Sequence, residues 1–252
     1  MEYFNLKGRK GIVAGGAGDL GRSMVAALRD AEVEIAVIDV SQSLDEFVRN
    51  LTVPGSPAVH GVHADLCDRA DLVRGFEKAL EILGALDILV NAQGIQRRHP
   101  AEVFPLEDWD EVLEVNLTSV FELCQLAGRV MIKQGHGKII NIASMQSFNG
   151  GLTIPAYAAS KAGVAQITKA FANEWTQRGV NINAIAPGYM DTKMTAGVKA
   201  DPVRYERILA RIPAGRWGTP EDLCGPLLFL ASDAANYMSG AIVPVDGGML
   251  CM

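Results

Sequence analysis

GIVAGGAGDLG, residues 11 to 21, is the segment from which the fold class follows. Its first four residues form a short apolar run, and a cluster of glycines comes directly after them. A strand that enters a glycine-rich turn before a helix is typical of dinucleotide-binding units, because the bare backbone can approach a pyrophosphate. We therefore predict a strand at 11–14 and a helix that ends near Asp30.

Six further apolar runs lie at 33–39, 59–64, 87–91, 138–143, 181–186 and 241–245, and helical patterns such as 109–134 and 155–178 separate them. Continuous apolar strands that alternate with helices indicate a parallel sheet covered on both faces. We predict an α/β fold: one Rossmann-like domain over residues 1–252, with a doubly wound, seven-stranded parallel sheet in a three-layer sandwich.

The segment 188–218 is polar and is interrupted by Pro202 and Pro213. A long insertion after the carboxyl end of a strand is where such folds hold ligands. We interpret it as a mobile substrate lid, and a plain surface excursion is the alternative.

The composition excludes several classes of partner. The net charge of -6 gives no electrostatic reason to bind nucleic acid or an anionic membrane surface. No apolar run approaches the roughly 18 residues of a membrane helix.

The four cysteines form no CxxC pair, so we expect neither a disulfide framework nor a metal site. Free thiols and an N-terminus without an apolar signal segment favour a cytoplasmic location.

Acidic residues end two of the predicted strands. Asp39 ends the second strand, where a carboxylate can accept both adenosine ribose hydroxyls of NAD and would repel the 2′-phosphate of NADP. No Arg or Lys lies within the glycine turn or directly after Asp39, so NAD is the expected cofactor; a plain turn residue is the alternative. Asp65 ends the third strand and is expected to bond the adenine amino group, or else to cap the following helix.

A second group of residues indicates proton-transfer chemistry. Tyr157 and Lys161 are spaced i, i+4 and share one helix face. An ammonium beside a phenol stabilises the phenolate and lowers the pKa from its usual value of about 10, which makes the tyrosine a general acid or base. Ser144 ends the fifth strand and can hold the substrate oxygen. Asn116 lies inside the predicted helix 109–134, where Asn is unfavourable, so we expect a functional distortion or a water site there.

With these residues in place, the sequence resembles the short-chain dehydrogenase/reductase family over essentially its whole length. The resemblance implies that Tyr157 exchanges the proton, that Lys161 lowers its pKa, that Ser144 orients the substrate and that Asn116 supports a water-linked proton relay. It also implies a homotetramer paired through helices 109–134 and 155–178. The cofactor-binding residues it implies are Gly15, Gly18, Asp19, Leu20, Gly21, Asp39, Asp65, Leu66, Asn91, Gly94, Tyr157, Lys161, Pro187, Gly188 and Thr192.

Two motifs depart from the family pattern. The glycine turn of the family reads TGxxxGxG, and here Ala14 replaces the threonine and Asp19 replaces the middle glycine. Asp19 therefore adds a side chain and a charge near the expected pyrophosphate. The family sequence NNAG reads NAQG over 91–94, so any role of the second asparagine side chain is lost.

Four stretches, at 94–98, 139–145, 183–190 and 211–218, resemble the branch of the family that acts on sugar acids. The branch implies hydride transfer between NAD and a secondary hydroxyl or ketone of a gluconate, 2-deoxygluconate or 2-keto-3-deoxygluconate type of substrate. We expect Arg97 and Arg98 to bind the carboxylate and Gln146 to bind a hydroxyl, beside Ser144 and Tyr157. A solvated loop or a subunit contact is the alternative for the arginines. A 3-oxoacyl-thioester reductase, a polyol dehydrogenase and a non-catalytic NAD-binding regulator are the competing functions.

Overall fold

A computed structural model of the chain describes residues 2–251. Its centre is one sheet of seven parallel strands in the order β3-β2-β1-β4-β5-β6-β7, which confirms the predicted Rossmann-like fold. The strands are β1 Lys10–Ala14, β2 Glu34–Asp39, β3 Val59–His63, β4 Ile88–Asn91, β5 Gly137–Ile142, β6 Val180–Pro187 and β7 Ile242–Val245.

Helices cover both faces of the sheet. The α-helices are α1 Asp19–Asp30, α2 Leu44–Leu51, α3 Arg69–Leu83, α4 Leu106–Leu113, α5 Ser119–Gln134, α6 Pro155–Trp175, α7 Ala196–Lys199, α8 Pro202–Leu209 and α9 Cys224–Ala231. One core cluster joins the sheet to α1, α2 and α9, and a second joins it to α3, α5 and α6. This makes the three layers. None of the described helices is long and apolar enough to cross a membrane.

The predicted helix 109–134 is wrong as a single element. The structure has α4, then a π-helical turn at Glu114–Thr118, then α5. The physical reason is Asn116 in that turn, whose amide bonds the loop after β4. Expecting a distortion at this residue was correct.

Two other boundaries differ from the prediction. The predicted helix 155–178 is α-helical only to Trp175, and a 3₁₀ turn at Thr176–Arg178 leads into Gly179, whose φ of 86° ends the helix. The segment 188–218, for which no regular element was predicted, contains α7 and α8. Asp201 starts α8 by accepting a hydrogen bond from the backbone N–H of Arg204.

The strand order reverses between β1 and β4, which are neighbours in the sheet although β2 and β3 lie between them in the chain. Chain connections leave this point in opposite directions, so a crevice opens beyond the carboxyl ends of the strands.

Candidate active site

A cleft of about 730 Å³ occupies this crevice. It runs from the glycine turn after β1, past the ends of β4 and β5, to the loop after β6. Most of the predicted site residues line it: Gly15, Gly18, Asp19, Leu20, Gly21, Asp39, Asp65, Leu66, Gly94, Arg98, Ser144, Gln146, Tyr157, Lys161, Pro187, Gly188 and Thr192.

The glycine turn is shaped by close backbone approaches. Gly15 has φ 71°, and a Cβ there would lie 2.5 Å from the Cα of Gln93. A Cβ on Gly21 would lie 2.3 Å from the carbonyl oxygen of Gly15. A side chain at position 15 would collide with the backbone after β4, and one at position 21 would push the start of α1 away from the turn. The glycines thus hold the N-terminus of α1 against the cleft, where its N–H groups can meet a pyrophosphate.

Asp39 faces the same turn from the end of β2. Its carboxylate accepts hydrogen bonds from the backbone N–H groups of Ala17, at 2.9 Å, and Ser41, at 2.9 Å. It therefore stands beside the turn that would hold the dinucleotide, in the place expected for a ribose ligand.

A cation also lies at this end, although no Arg or Lys stands within the glycine turn or directly after Asp39. Arg22 follows Gly21 on α1, and its guanidinium donates to the Ser43 hydroxyl at 2.7 Å and lies 4.4 Å from the centre of the Phe47 ring. The hydroxyls of Ser41 and Ser43 are 2.9 Å apart. Arg22 and both serines line the cleft. The absence of Arg and Lys from the glycine turn and from the position after Asp39 therefore does not leave this end without a cation, because the Arg22 side chain reaches the start of α2.

Asp65 and Leu66 line the cleft after β3. The Asp65 carboxylate accepts a hydrogen bond from the N–H of Cys67 at 2.9 Å. The N-cap of α3 is Asp68, which accepts from the N–H groups of Ala70 and Asp71. The alternative interpretation of Asp65 as a helix cap is therefore wrong.

Ser144, Tyr157 and Lys161 meet at the inner end of the cleft. Ser144 caps a 3₁₀ turn at Met145–Ser147, and its Oγ accepts from the N–H of Gln146 at 3.1 Å. The Ser147 hydroxyl donates to the backbone carbonyl of Lys161 at 2.6 Å and so ties this turn to α6. Lys161 is buried, and its ammonium donates to the carbonyl of Ile142 at 2.6 Å.

Burial and neighbouring groups shift the pKa values of Tyr157 and Lys161. Burial raises the pKa of Tyr157, whereas the neighbouring Ser144 hydroxyl and the Arg98 guanidinium lower it. Burial also lowers the pKa of Lys161 to about 8. The Lys161 ammonium lies 6.0 Å from the centre of the Tyr157 ring. The Ser144 hydroxyl and the Arg98 guanidinium thus oppose the effect of burial on the pKa of Tyr157, and the lowering of that pKa by Lys161 stays a prediction.

Asn116 is fully buried and lies just outside the cleft. Its Oδ1 accepts from the N–H of Ile95 at 2.8 Å, and its Nδ2 donates to the Ile95 carbonyl at 2.9 Å and to the Ser160 hydroxyl at 3.1 Å. Ser160 in turn donates to the carbonyl of Tyr157 at 2.8 Å. Asn116 therefore fixes the loop after β4 and the start of α6 together.

Two predicted residues lie elsewhere in the part of the chain that the structure describes. Asn91 is buried in the core, where its Nδ2 donates to Asn141 at 2.8 Å. Arg97 turns away and pairs with Glu111 at 2.8 Å and Asp108 at 3.8 Å. Neither side chain lines the cleft: the Asn91 amide donates within the core, although its Oδ1 has no hydrogen-bond partner among the described residues, and Arg97 pairs with two carboxylates of α4.

Several residues that shape the site were not predicted from the sequence. Arg22, Ser147 and Ser160 carry hydrogen bonds described above, and Gln93 lines the cleft while its Nε2 donates to Ser119 at 3.0 Å. Arg22 could have been found, since it follows the last glycine by one position. The serines have no sequence signal, because Ser147 bonds the carbonyl of Lys161, 14 residues further along the chain, and Ser160 meets the Asn116 side chain only after α6 packs beside the π-helical turn.

Comparison with known proteins agrees with this geometry. A family model described as enoyl-(acyl carrier protein) reductase matches residues 15–250. The 2-dehydro-3-deoxy-D-gluconate 5-dehydrogenase of Dickeya dadantii is 45% identical over 251 residues, which are 99% of this chain and 98% of that protein.

Solved structures match over the full length as well. A putative NAD(P)-dependent gluconate 5-dehydrogenase from Beutenbergia cavernae, with bound NADP at low occupancy, has a TM-score of 0.95 and 43% identity, covering 99% of this chain and 100% of that one. A gluconate 5-dehydrogenase from Burkholderia cenocepacia, in complex with NADP and tartrate, has a TM-score of 0.94 and 35% identity, covering 100% and 98%.

Proposed function

Because the chain belongs to the short-chain dehydrogenase/reductase family, we propose that it transfers a hydride between NAD and a secondary hydroxyl or ketone of a sugar acid. One observation carries the proposal: Ser144, Tyr157 and Lys161 converge on a single cleft, which Arg98 also lines. The names of the relatives support a substrate of the gluconate or 2-keto-3-deoxygluconate type.

The cleft fits a nicotinamide dinucleotide. At one end of the cleft, Gly15 and Gly21 lie so close to neighbouring backbone that no side chain fits there, and the Asp39 carboxylate lies beside this turn. The Oε1 atom of Gln93 is buried and has no hydrogen-bond partner in the described part of the chain. The N–H groups at the start of α1 would hold the pyrophosphate, Asp39 the adenosine ribose, and Lys161 with Thr192 the nicotinamide end. When bound, the nicotinamide supplies the acceptor or donor of the hydride.

The side chains of this protein handle the proton. Tyr157 accepts the hydroxyl proton when an alcohol is oxidised and returns it when a ketone is reduced. Ser144 holds the reacting oxygen in place, because its own position is fixed by the turn that Ser147 ties to α6. Arg98 stabilises the phenolate electrostatically, which opposes the effect of burial on the tyrosine.

The choice of NAD is supported by Asp39, whose carboxylate would repel a 2′-phosphate. Arg22 and the serine pair beside it form a polar corner that a 2′-phosphate could use instead, and two of the solved relatives were obtained with NADP. The ratio of kcat/KM for the two cofactors decides between these contributions.

The test of the function is a substrate panel followed by the absorbance of reduced nicotinamide. Purified protein is offered NAD or NADP with D-gluconate, 2-keto-3-deoxygluconate, neutral polyols and 3-hydroxyacyl thioesters. We expect turnover with sugar acids alone, and Tyr157→Phe should abolish it while nucleotide binding persists. Turnover confined to polyols or thioesters would support one of the competing enzymes. Binding without turnover of any of them would support a regulator.

Assembly and location belong to the same proposal. We propose that the lid is 188–218 and that copies pair through α5 and α6, because Phe121 is 39% exposed there beside Phe171, which stacks on Trp175 at 4.2 Å. Sedimentation velocity should give a tetramer, and Phe121→Glu should give smaller species.

All four cysteines are free, which supports a reducing compartment such as the cytoplasm.

A further inference from the structure

Tyr189 forms part of the wall of the cleft. It follows Gly188 in the loop after β6, and it lines the same cleft as Ser144 and Tyr157. The next residue, Met190, is 5% exposed and packs into the core that joins the sheet to α1 and α9. Tyr189 instead packs against residues of the 188–218 segment. Its side chain therefore stands at the border between the cleft and the lid.

A small apolar cluster, which we call the lid cluster, lies behind Tyr189. Its buried members, against which Tyr189 packs, are Met145, Val198, Ile208, Ile212, Trp217 and Met249. The ring centres of Tyr189 and Trp217 are 5.2 Å apart, and Trp217 stacks in turn on Tyr205 of α8 at 5.3 Å. The lid thus supports the Tyr189 ring from behind.

Backbone hydrogen bonds hold the same tyrosine. The N–H of Gly218 donates to the carbonyl of Tyr189 at 3.0 Å, and the N–H of Asp191 donates to the carbonyl of Gly218 at 2.8 Å. These bonds join the two ends of the 188–218 segment. Because ring and backbone are both held, a substrate that packs on the ring has little conformational freedom to remove, which favours binding.

The lid cluster also reaches a polar side chain of the catalytic turn. Met145, a member of the cluster, lies between Ser144 and Gln146 in the chain. Gln146 lines the cleft, and its backbone N–H donates to the Ser144 Oγ at 3.1 Å. Its Oε1 is buried and has no hydrogen-bond partner within residues 2–251. Such an unpaired acceptor is unfavourable, and rotation about the last side-chain bond is soft, so the amide can turn to meet a ligand hydroxyl.

These two side chains suit a chain of carbons that carries hydroxyls. Tyrosine offers a flat apolar surface to the C–H groups of such a chain, and an amide can bond a hydroxyl as donor or acceptor. An acyl thioester could use the ring but would leave the amide unpaired, and a site with an unpaired polar group discriminates against such a ligand.

We propose that Tyr189 is a specificity-determining residue: the carbon chain of a sugar acid packs on its ring, while Gln146 bonds one hydroxyl that does not react. This rests on the proposed function and deepens it, since it assigns recognition of the polyol chain to one residue of the lid and one of the catalytic turn. Both side chains act on substrate binding, and the proton transfer stays with Tyr157.

The first test replaces Tyr189 by leucine or by phenylalanine, with Tyr3→Leu as the control at an exposed tyrosine. Tyr189→Leu removes the ring surface, so kcat/KM for D-gluconate should fall about 10- to 100-fold, the range for a lost apolar contact in a pocket. The loss should lie in KM, because the ring contacts the substrate equally in the ground and transition states. Tyr189→Phe keeps the ring and should stay within about 3-fold of the wild-type protein, as should Tyr3→Leu.

The affinity for NAD shows whether Tyr189 acts on the substrate or only on the position of its loop. Gly188 and Thr192 of the same loop also line the cleft, so a displaced loop would weaken cofactor binding as well. We expect Tyr189→Leu to leave the dissociation constant of NAD unchanged. Equal losses for NAD and gluconate, or no loss of kcat/KM for gluconate, would overturn the proposal.

The second test is a cycle of Gln146→Met against D-gluconates that each lack one of the hydroxyls that do not react. Gln146→Met should lower kcat/KM for D-gluconate about 3- to 10-fold, the range for one neutral hydrogen bond. With the analogue that lacks the bonded hydroxyl, variant and wild-type protein should be equal, because that bond is already absent. The same loss with every substrate would mean that Gln146 only maintains the turn, and its part in recognition would fall.

Titration of D-gluconate into the protein loaded with NADH separates failure of this proposal from failure of the proposed function. NADH cannot accept a hydride, so calorimetry measures binding without turnover. If no sugar acid is oxidised but Tyr189→Leu weakens gluconate binding, the recognition site stands and the proposed reaction falls. If sugar acids are oxidised and Tyr189→Leu changes neither turnover nor binding, the reaction stands and the recognition site falls.

Discussion

The carboxylate of Asp19 accepts a hydrogen bond from the backbone N–H of Lys193 at 2.7 Å, so the glycine turn is joined to the loop after β6. Asp19 is also the first residue of α1, where the helix end attracts anions. The same carboxylate therefore steadies the start of the 188–218 segment, and it would repel a pyrophosphate held by the glycine turn.

The first prediction separates these two effects. Asp19→Asn keeps an oxygen acceptor for Lys193 and removes the charge, so the dissociation constant of NAD should fall about 2- to 5-fold, as expected for one charge at a helix terminus. Asp19→Ala loses the acceptor as well and should speed proteolysis after 188. Calorimetry and limited proteolysis measure these outcomes, with Asp30→Asn at the other end of α1 as the control. Unchanged affinity in Asp19→Asn would show that the charge is not near the pyrophosphate.

The second prediction concerns the polar corner at the end of β2. Arg22→Ala should lower kcat/KM for NADP about 10-fold or more, because a charged hydrogen bond to a 2′-phosphate is lost. Asp39→Ala should have the opposite effect on the NADP to NAD ratio, since the repelling carboxylate is gone. Arg49→Ala, on the exposed side of α2, is the control for loss of one positive charge. If Arg22→Ala changes both cofactors equally, Arg22 acts only through the turn it bonds.

Asn116 gives the third prediction. Asn116→Ala leaves the N–H and carbonyl of Ile95 without the partners they now have, and each buried group left unpaired costs about 1–3 kcal/mol. We expect the free energy of unfolding to fall by about 2–4 kcal/mol in urea titrations. Asn149→Ala, at an exposed position, should change it little. A loss of turnover with unchanged stability would instead favour the water-linked relay over a positioning role.

The part of the fold and of the site that could be predicted from the sequence depends on how far apart in the chain the contacting residues lie. The glycine turn, the strand-end Asp39 and the pair Tyr157 and Lys161 are local patterns, and the structure brings them to one cleft. The orientation of Arg97 away from the cleft could not be predicted from the sequence, because Glu111 and Asp108 lie beside it only after α4 packs against the loop that follows β4. The low helix propensity of asparagine predicted a distortion at Asn116, but it could not predict that the distortion is a π-helical turn.

The electrostatic environment of Tyr157 and Lys161, which residues distant in the chain create, could not be predicted from the sequence either. An i, i+4 spacing predicts that Lys161 acts on Tyr157, but spacing carries no information on burial or on a third group such as Arg98. The structure shows that burial dominates the pKa of both side chains. The consequence can be measured for Lys161 as a dependence of stability on pH.

The last prediction follows from that burial. Lys161 has a pKa of about 8 in the folded protein and about 10.4 when unfolded, so between these values the unfolded chain binds more protons. Lys161 therefore contributes a rise of the free energy of unfolding with pH from about 8, by at most about 1.4 kcal/mol per pH unit. Lys138, whose pKa burial also lowers to about 8, contributes a second rise, and Cys67 and Cys124, whose pKa burial raises, contribute a fall, so the quantity to compare is the difference between variants. Below pH 8 both states are protonated and the full cost of burying the charge is present. Relative to the wild-type protein, Lys161→Met should lose the contribution of Lys161, since methionine cannot titrate, whereas Lys169→Met, exposed on the same helix, should follow the wild-type curve. Urea titrations between pH 7.5 and 9.5 stay below the ordinary range of tyrosine, which is about 10. Parallel curves for the wild-type protein and Lys161→Met would mean that the ammonium is as well solvated in the fold as in the unfolded chain.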